Sequence, residues 1–305
     1  MKKLPFTIRR RIAATCTTLA VALTLAACGG TPAATTKATD AEAAALLPQA
    51  IKDTGVLTVG TYAPSPPTRM FKEDGTTLTG LDISLSEEIG KSLGLEVKFQ
   101  NMKWDGLLPA LKANRFDLVA AQVGDYPERR GNGDFVDYYT TGASAVALES
   151  NAGGFTDQWD MCGKRVGFQS GVAAAKALPE LSTQCATKKP ASGPMDLKPF
   201  PDDAAGLLAL RSGQTDVHVL DNTAAAYQVQ KSQSGTKMQI VASDLIERAN
   251  IGMVIAKDNT KLRDAVETAL KNLLESGRYQ EILDQYGLGD YGVKAITVNT
   301  TERSK

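Results

Sequence analysis

Histidine is nearly missing from this chain. His218 is the only one in 305 residues, and there are only four cysteines, Cys16, Cys28, Cys162 and Cys185. Ser–His and Cys–His nucleophile pairs are therefore excluded unless His218 itself serves, and a metal site needs more ligands than these residues offer. His218 lies in Thr215 to Leu220, TDVHVL, where Val217 and Val219 alternate with His218 and Leu220, so a packed or half-exposed strand histidine is expected rather than a catalytic one. The GFQSG turn at 167–171 is not a nucleophile elbow, because its serine falls one place later than in G-x-S-x-G. An excess of positive charge is also lacking. The formal charge is zero, with 34 basic and 34 acidic residues, and five of the basic ones (Lys2, Lys3, Arg9, Arg10, Arg11) fall in the first eleven positions. Without that leader, 29 basic residues face 34 acidic ones, which gives no basis for nucleic-acid binding or a basic membrane patch. No catalytic residue, cofactor or metal is expected.

Long apolar runs are scarce too. Ile12 to Ala27 is apolar apart from Cys16 and scattered threonines, follows the basic start, and is short for a membrane span, so residues 1–27 read as a secretory signal. It ends in Leu25-Ala26-Ala27-Cys28-Gly29, which resembles the bacterial lipobox, where cleavage precedes the cysteine and lipid is attached to it. Residues 28–48 then read as a lipidated flexible tether, since GGTPAATTKATDAEAAA contains no aromatic or β-branched aliphatic residue to bury. The expectation is an exported protein, lipid-anchored to the outer face of the cell membrane or periplasmic. With Cys16 removed and Cys28 lipidated, Cys162 and Cys185 remain as a pair outside the reducing cytosol, and a disulfide is expected.

From Gln49 to about Tyr291 strand-like and helix-like stretches alternate: VLTVGT, ISLSEEIGKSLG, LEVKFQ, WDGLLPALKAN and DLVAA, then KRVGFQ, VAAAKAL, DDAAGLLALRSG, TDVHVL and NTAAAYQVQKS. Such alternation implies mostly parallel α/β sheets covered by helices, and the length favours two lobes with a pocket between them at the strands' carboxyl ends. In GFQSGVAAAKAL, Gly167 and Gly171 bracket a polar turn before an Ala-rich helix, so backbone N–H groups point at an anion there, with Ser170 expected to cap the helix.

GLDISLSEEIGKSLG (Gly80 to Gly94), WDGLLPAL (Trp104 to Leu111), FDLVAAQVGDYPERR (Phe116 to Arg130) and DFVDYY (Asp134 to Tyr139) resemble, in order and spacing, the family 3 extracellular solute-binding proteins of ATP-driven importers. The resemblance continues through CGKRVGFQSG, RSGQTDVHVLDNTAAAY and LRDAVETALKNLLESGRYQEILDQYG. It implies an α/β, two-lobed periplasmic-binding-protein fold of type II, with two mostly parallel sheets and flanking helices joined by two hinge strands. Lobe one would take 49–145 and the return segment 250–300, lobe two 146–249, and 301–305 a tail, with crossovers near Ala145 to Leu148 and Asn250 to Val254.

The resemblance also implies a set of ligand residues. Arg129 matches the arginine that forks the ligand α-carboxylate, Asp221 the acid that receives the α-ammonium, and Trp104 the aromatic wall. Asp221 also reads as a helix N-cap, Trp104 as a core side chain and Arg130 as a solvated charge, while Asp82 reads equally as a lobe organiser and as a ligand contact. Many members place hydroxyls where this chain has Val172, Ala173, Ala121 and Gly124, so a carboxylate would rest on backbone N–H groups and Arg129. Ser65 stands where members often have a stacking tyrosine and Tyr62 where cationic-side-chain binders tend to have an acid, which argues against lysine or arginine as ligand. Gln122, Asp125 and Arg69 are candidates for the side-chain end. The implied function is capture of a small polar solute, an amino acid first, by a monomer that delivers it to the permease subunits of an ABC importer. A sensing lipoprotein with the same pocket, and a dehydratase-like enzyme on this fold, are the alternatives.

Overall fold

The computed structural model describes residues 40–233 and 235–301, and for 244–247 the backbone alone. The expected signal, Cys16, the lipobox with Cys28 and the first part of the tether lie outside these residues. The strands in chain order are β1 (Val56–Thr61), β2 (Met70–Phe71), β3 (Leu78–Thr79), β4 (Glu96–Asn101), β5 (Leu118–Gly124), β6 (Asp134–Leu148), β7 (Arg165–Gln169), β8 (Asp196–Phe200), β9 (Val217–Asp221), β10 (Met238–Ile255) and β11 (Gly292–Val298). The helices are α1 (Ala41–Leu46), α2 (Gln49–Thr54), α3 (Leu81–Leu93), α4 (Leu107–Lys112), α5 (Glu149–Ala152), α6 (Ala173–Lys188), α7 (Asp203–Arg211), α8 (Asn222–Lys231), α9 (Thr260–Glu275) and α10 (Arg278–Gln285).

β4, β1 and β5 pair in parallel, as do β8, β7 and β9. The two sheets expected from the alternation are thus two parallel blocks, but hydrogen bonding runs between them without a break, in the order β4-β1-β5-β10-β6-β9-β7-β8 with β11 beside β6. The reason is the length of β6, 15 residues, and β10, 18 residues, which pair antiparallel from Asp134↔Ile255 to Leu148↔Met238 with several register shifts. Register shifts of this kind bend and twist a strand pair, which lets one ribbon serve two differently oriented blocks. Along β6 the outer partner changes from β11 at Val136–Tyr139 to β9 at Ala143–Val146, so the passage between blocks falls at Thr140–Gly142.

Each block is covered on both faces, as parallel strands require. β5 is buried throughout, and its residues alternate: Leu118 and Ala120 join one core with Leu81, Leu85 and Ile89 of α3 and Leu262, Val266 and Leu270 of α9, while Val119, Ala121 and Val123 join another with Leu107 and Leu111 of α4. The helical spacing of i, i+4 in Leu81, Leu85, Ile89 and Leu93 sets the α3 stripe. In the other block Val217 and Val219 pack with Leu178 of α6, and Leu220 on the opposite face packs with Leu207 and Leu210 of α7.

Residues 40–48, expected to belong to the flexible tether, instead form α1 and its link to α2. Asp40 Oδ1 accepts from the N–H groups of Glu42 and Ala43 and starts α1, and Ala43 and Leu47 are buried in the α3–α9 core. Alanine alone is a good helix former, and Leu47 supplies the apolar anchor that the low-complexity reading discounted. At the other end, Thr301 of the expected tail is fixed: its N–H donates to Asp125 Oδ2 at 3.0 Å and its hydroxyl accepts from the Asn250 N–H.

Cys162 and Cys185 are joined, both buried, and tie the approach to β7 to α6 across 23 residues. Reduction is expected to destabilise the fold by about 3 kcal/mol in the chain-entropy account. Urea unfolding with and without reductant measures this, and coincident curves would refute it.

Candidate functional site

The pocket lies where the two blocks meet over β6 and β10, with Thr141, Gly142, Ala143 and Ile251 on its floor. One wall comes from the β5 block. After β1 the chain turns through Tyr62 and Ser65, and Arg69 returns beneath them, its Nε donating to the Tyr62 carbonyl at 2.8 Å. Its Nη1 meets Asp82 Oδ2 at 2.5 Å and its Nη2 donates to Gln122 Oε1 at 3.3 Å. Trp104 opens a short turn after β4 and stands edge-on to Tyr62, ring centres 6.4 Å apart. At the end of β5, Gln122 is buried with φ 56°, a left-handed backbone that a non-glycine residue adopts at a cost. Its amide donates across the cleft to Thr223 Oγ1 at 3.3 Å.

Arg129 sits on the turn beyond β5, its guanidinium 5.2 Å from the Tyr126 ring centre and donating to the carbonyls of Gly124 and, across the cleft, Gly171. A Cβ at Gly124 would come within 2.5 Å of the Tyr126 ring and 3.3 Å of Arg129 Nη1, so the glycine keeps that stack in place.

The opposite wall is made of helix beginnings. After β7 the GFQSG turn passes Gly171 at φ 78° into Val172 and the start of α6, and Val172, Ala173 and Ala174 line the pocket. Ser170 is not the cap. Val172 holds the N-cap position with no side-chain bond, so the first N–H groups of this 16-residue helix lack a side-chain acceptor among the described residues. Beside it, β9 ends in Asp221, which occupies the α8 N-cap position without accepting a capping bond. The third element is α7, capped by Asp202 Oδ1, with Asp203 in its first turn facing the pocket.

Asp221 is half-buried. Removal from water pushes its carboxyl from 3.8 up to about 7, Asp203 pushes the same way, and Arg69 and Arg129 pull against them. A carboxyl raised by its folded surroundings makes ionisation destabilising. The cost is absent below about pH 4, grows up to about pH 7 and is constant above. A solute ammonium placed beside Asp221 would reverse this by favouring the charged form. α-Amino-acid affinity is therefore expected to weaken by up to about tenfold from pH 7 to pH 6, with release of a proton on binding. Calorimetry at pH 6 in buffers of different ionisation enthalpy detects the proton, and an equal heat in all buffers would rule it out.

The structure brings Tyr62, Ser65, Trp104, Gln122, Gly124, Arg129, Val172, Ala173 and Asp221 into one pocket. Trp104 both lines it and packs on the α4 core. Two candidates fall elsewhere. Asp125 is fully buried in a two-bond pair with Arg130, 2.7 and 2.9 Å, which draws it out of the side-chain end and makes Arg130 a structural partner instead of a solvated charge. Asp82 does not line the pocket, being held by Arg69 and by the Tyr138 hydroxyl at 2.6 Å. Sequence reasoning missed Asp203, Tyr126, Gln169 and Thr141. Asp203 carried a signal, since it follows the β8 strand end and opens a helix.

A cleft between two α/β blocks joined by paired crossing strands, with an arginine and a helix N-terminus near an acid, defines a binder of small charged solutes. Residues 57–289 match the family Bacterial extracellular solute-binding proteins, family 3, and the chain belongs to that family. Among its relatives are the L-cystine-binding protein TcyA of Bacillus subtilis, 30% identical over 76% of this chain and 81% of that protein, and the arginine-binding protein ArgT of Corynebacterium glutamicum, 27% identical over 92% of each. An ancestral arginine-binding protein solved with arginine superposes with a TM-score of 0.68 at 29% identity, over 76% of this chain and 98% of that one. The fold is that of the type II periplasmic binding proteins. Among the described residues no helix is long and apolar enough to cross a membrane.

Proposed function

We propose that this solute-binding protein captures an α-amino acid between its two blocks and hands it to the permease of an ABC importer. The observation that carries the reading is the convergence on one pocket of Arg129 from one wall and of the open N-terminus of α6 and Asp221 from the other, a donor set and an acceptor suited to the two ends of a zwitterion. The amino-acid-binding relatives support it. Lobe one is taken as residues 40–139 with the return after Asn250, and lobe two as the segment between, so that closure is a hinge motion on β6 and β10. Direct contacts between the walls, Arg129 to Gly171, Gln122 to Thr223 and Lys176 to Glu128 at 3.3 Å, fit a cleft that shuts on its cargo.

The reading is of a monomeric carrier, not an enzyme: solute recovered chemically unchanged after incubation is the expected result. A thermal-shift screen of the full chain against amino acids tests the ligand class, because a solute binding only the folded state raises the melting temperature. Absence of a shift with every amino acid would defeat it.

Anchoring rests on the sequence at 25–29. Lipid on Cys28 would hold the protein at the outer face of the cell membrane, and Cys28→Ser is expected to move it from the membrane fraction to the soluble exported fraction. Retention of that variant in membranes would count against lipid attachment at this cysteine.

A further inference from the structure

We propose that Asp203 is a specificity-determining residue that receives a second cationic nitrogen of the solute, so that the pocket selects amino acids with a positively charged side chain. The inference rests on the amino-acid reading above and narrows it. Position 62, where an acid would serve such a side chain, holds Tyr62, and the acid is supplied from the other wall.

Three observations converge on Asp203. It faces the pocket from the first turn of α7, close enough to Tyr62 that its charge helps raise that phenol above its ordinary range, after burial and Asp202. Its orientation is built: Oδ1 meets His218 Nε2 at 2.8 Å, and the His218 ring is sealed from solvent beneath. The ring lies against Gly206 and Gly167, where a Cβ would come within 2.0 Å and 2.9 Å of it, so two bare backbone positions make room for the imidazole that holds the carboxylate. Oδ2 of Asp203, like the carboxyl of Asp221, has no hydrogen-bond partner among the described residues.

Charge counting selects the solute class. Arg69 is already neutralised by Asp82, which leaves one guanidinium, Arg129, against the two carboxylates of Asp203 and Asp221 among the described lining residues. A neutral amino acid leaves one carboxylate unpaired in the cleft. A solute with one carboxylate and two cationic nitrogens leaves none, whereas a double zwitterion such as cystine brings a second carboxylate with no free cation to meet it.

The test is calorimetric titration of the full chain with L-lysine, L-ornithine, L-arginine, L-glutamine and L-cystine, repeated for Asp203→Asn and Asp203→Glu. At least one of the three dibasic amino acids should bind roughly 30-fold or more tighter than glutamine, and Asp203→Asn should collapse that ratio toward one. Asp203→Glu, which keeps the charge, should retain part of it, and equal melting temperatures of the unliganded variants confirm that the fold is intact. If glutamine or cystine binds the parent as tightly as the dibasic amino acids, or the ratio survives in Asp203→Asn, the role given to Asp203 is wrong while the amino-acid reading stands. If no amino acid binds the parent, both fall.

Discussion

Arg129→Ala is expected to weaken solute binding by about 2 to 5 kcal/mol, the largest loss from any single truncation in the pocket. The carboxylate of a bound zwitterion is out of water, so removing its charge partner leaves it desolvated with only the α6 N–H groups to hold it. Arg129 also donates to the Gly171 carbonyl on the far wall, so its loss weakens the closed cleft as well as the contact. Asp221→Asn keeps the shape and removes the charge, so it should weaken α-amino acids while sparing an analogue without the ammonium. Calorimetry with the solute returned by the screen decides. If Arg129→Ala binds that solute as tightly as the parent, the carboxylate is held elsewhere and Val172 and Ala173 mark a pocket rebuilt for another chemistry.

Arg129, Trp104 and Asp221 were reached through the family resemblance carried by YPERR, WDGLLPAL and HVLDNTAAAY, and the structure places all three in the lining of one pocket. The helical and strand periods of ISLSEEIGKSLG and DLVAA likewise made α3 and β5 legible, since apolar side chains that recur on one face must be buried. What could not be read was set by contacts distant in the chain. Asp125 looked like a pocket acid from its place in GDYPERR, but Arg130 and the Thr301 N–H, distant in the chain, hold it buried away from the cleft instead. Asp203 went unread as one of two adjacent acids in PDDAAG. Only the packing of α7 on His218 and the lining of the pocket show that Asp203 is the one of the two that faces the cleft. The helix at Ala41–Leu46 was hidden for a different reason: a segment of alanines has no period, and its burial depends on α3 and α9, which receive it.

The second large effect concerns the support beneath the pocket. Arg69 and Asp82 are 2% and 0% exposed, 2.5 Å apart, and Asp82 accepts a further bond from the buried Tyr138 hydroxyl. Burial and the Asp82 charge hold both Tyr138 and Tyr139 well above the ordinary tyrosine range, so both phenols stay neutral and Arg69 is the positive partner that Asp82 has. Arg69→Leu therefore leaves a carboxylate in the core with one neutral donor, and destabilisation of about 3 to 5 kcal/mol is expected in urea unfolding. The same change removes the bonds to the Tyr62 carbonyl and Gln122 Oε1, so solute affinity should fall even where the variant is folded. Replacing both partners, Arg69→Met with Asp82→Leu, removes the uncompensated charge and should recover much of the lost stability without restoring affinity, because the pocket turn remains unsupported. If the double variant is no more stable than Arg69→Leu alone, the single variant's loss comes from packing around the 62–69 turn and not from the stranded Asp82 carboxylate.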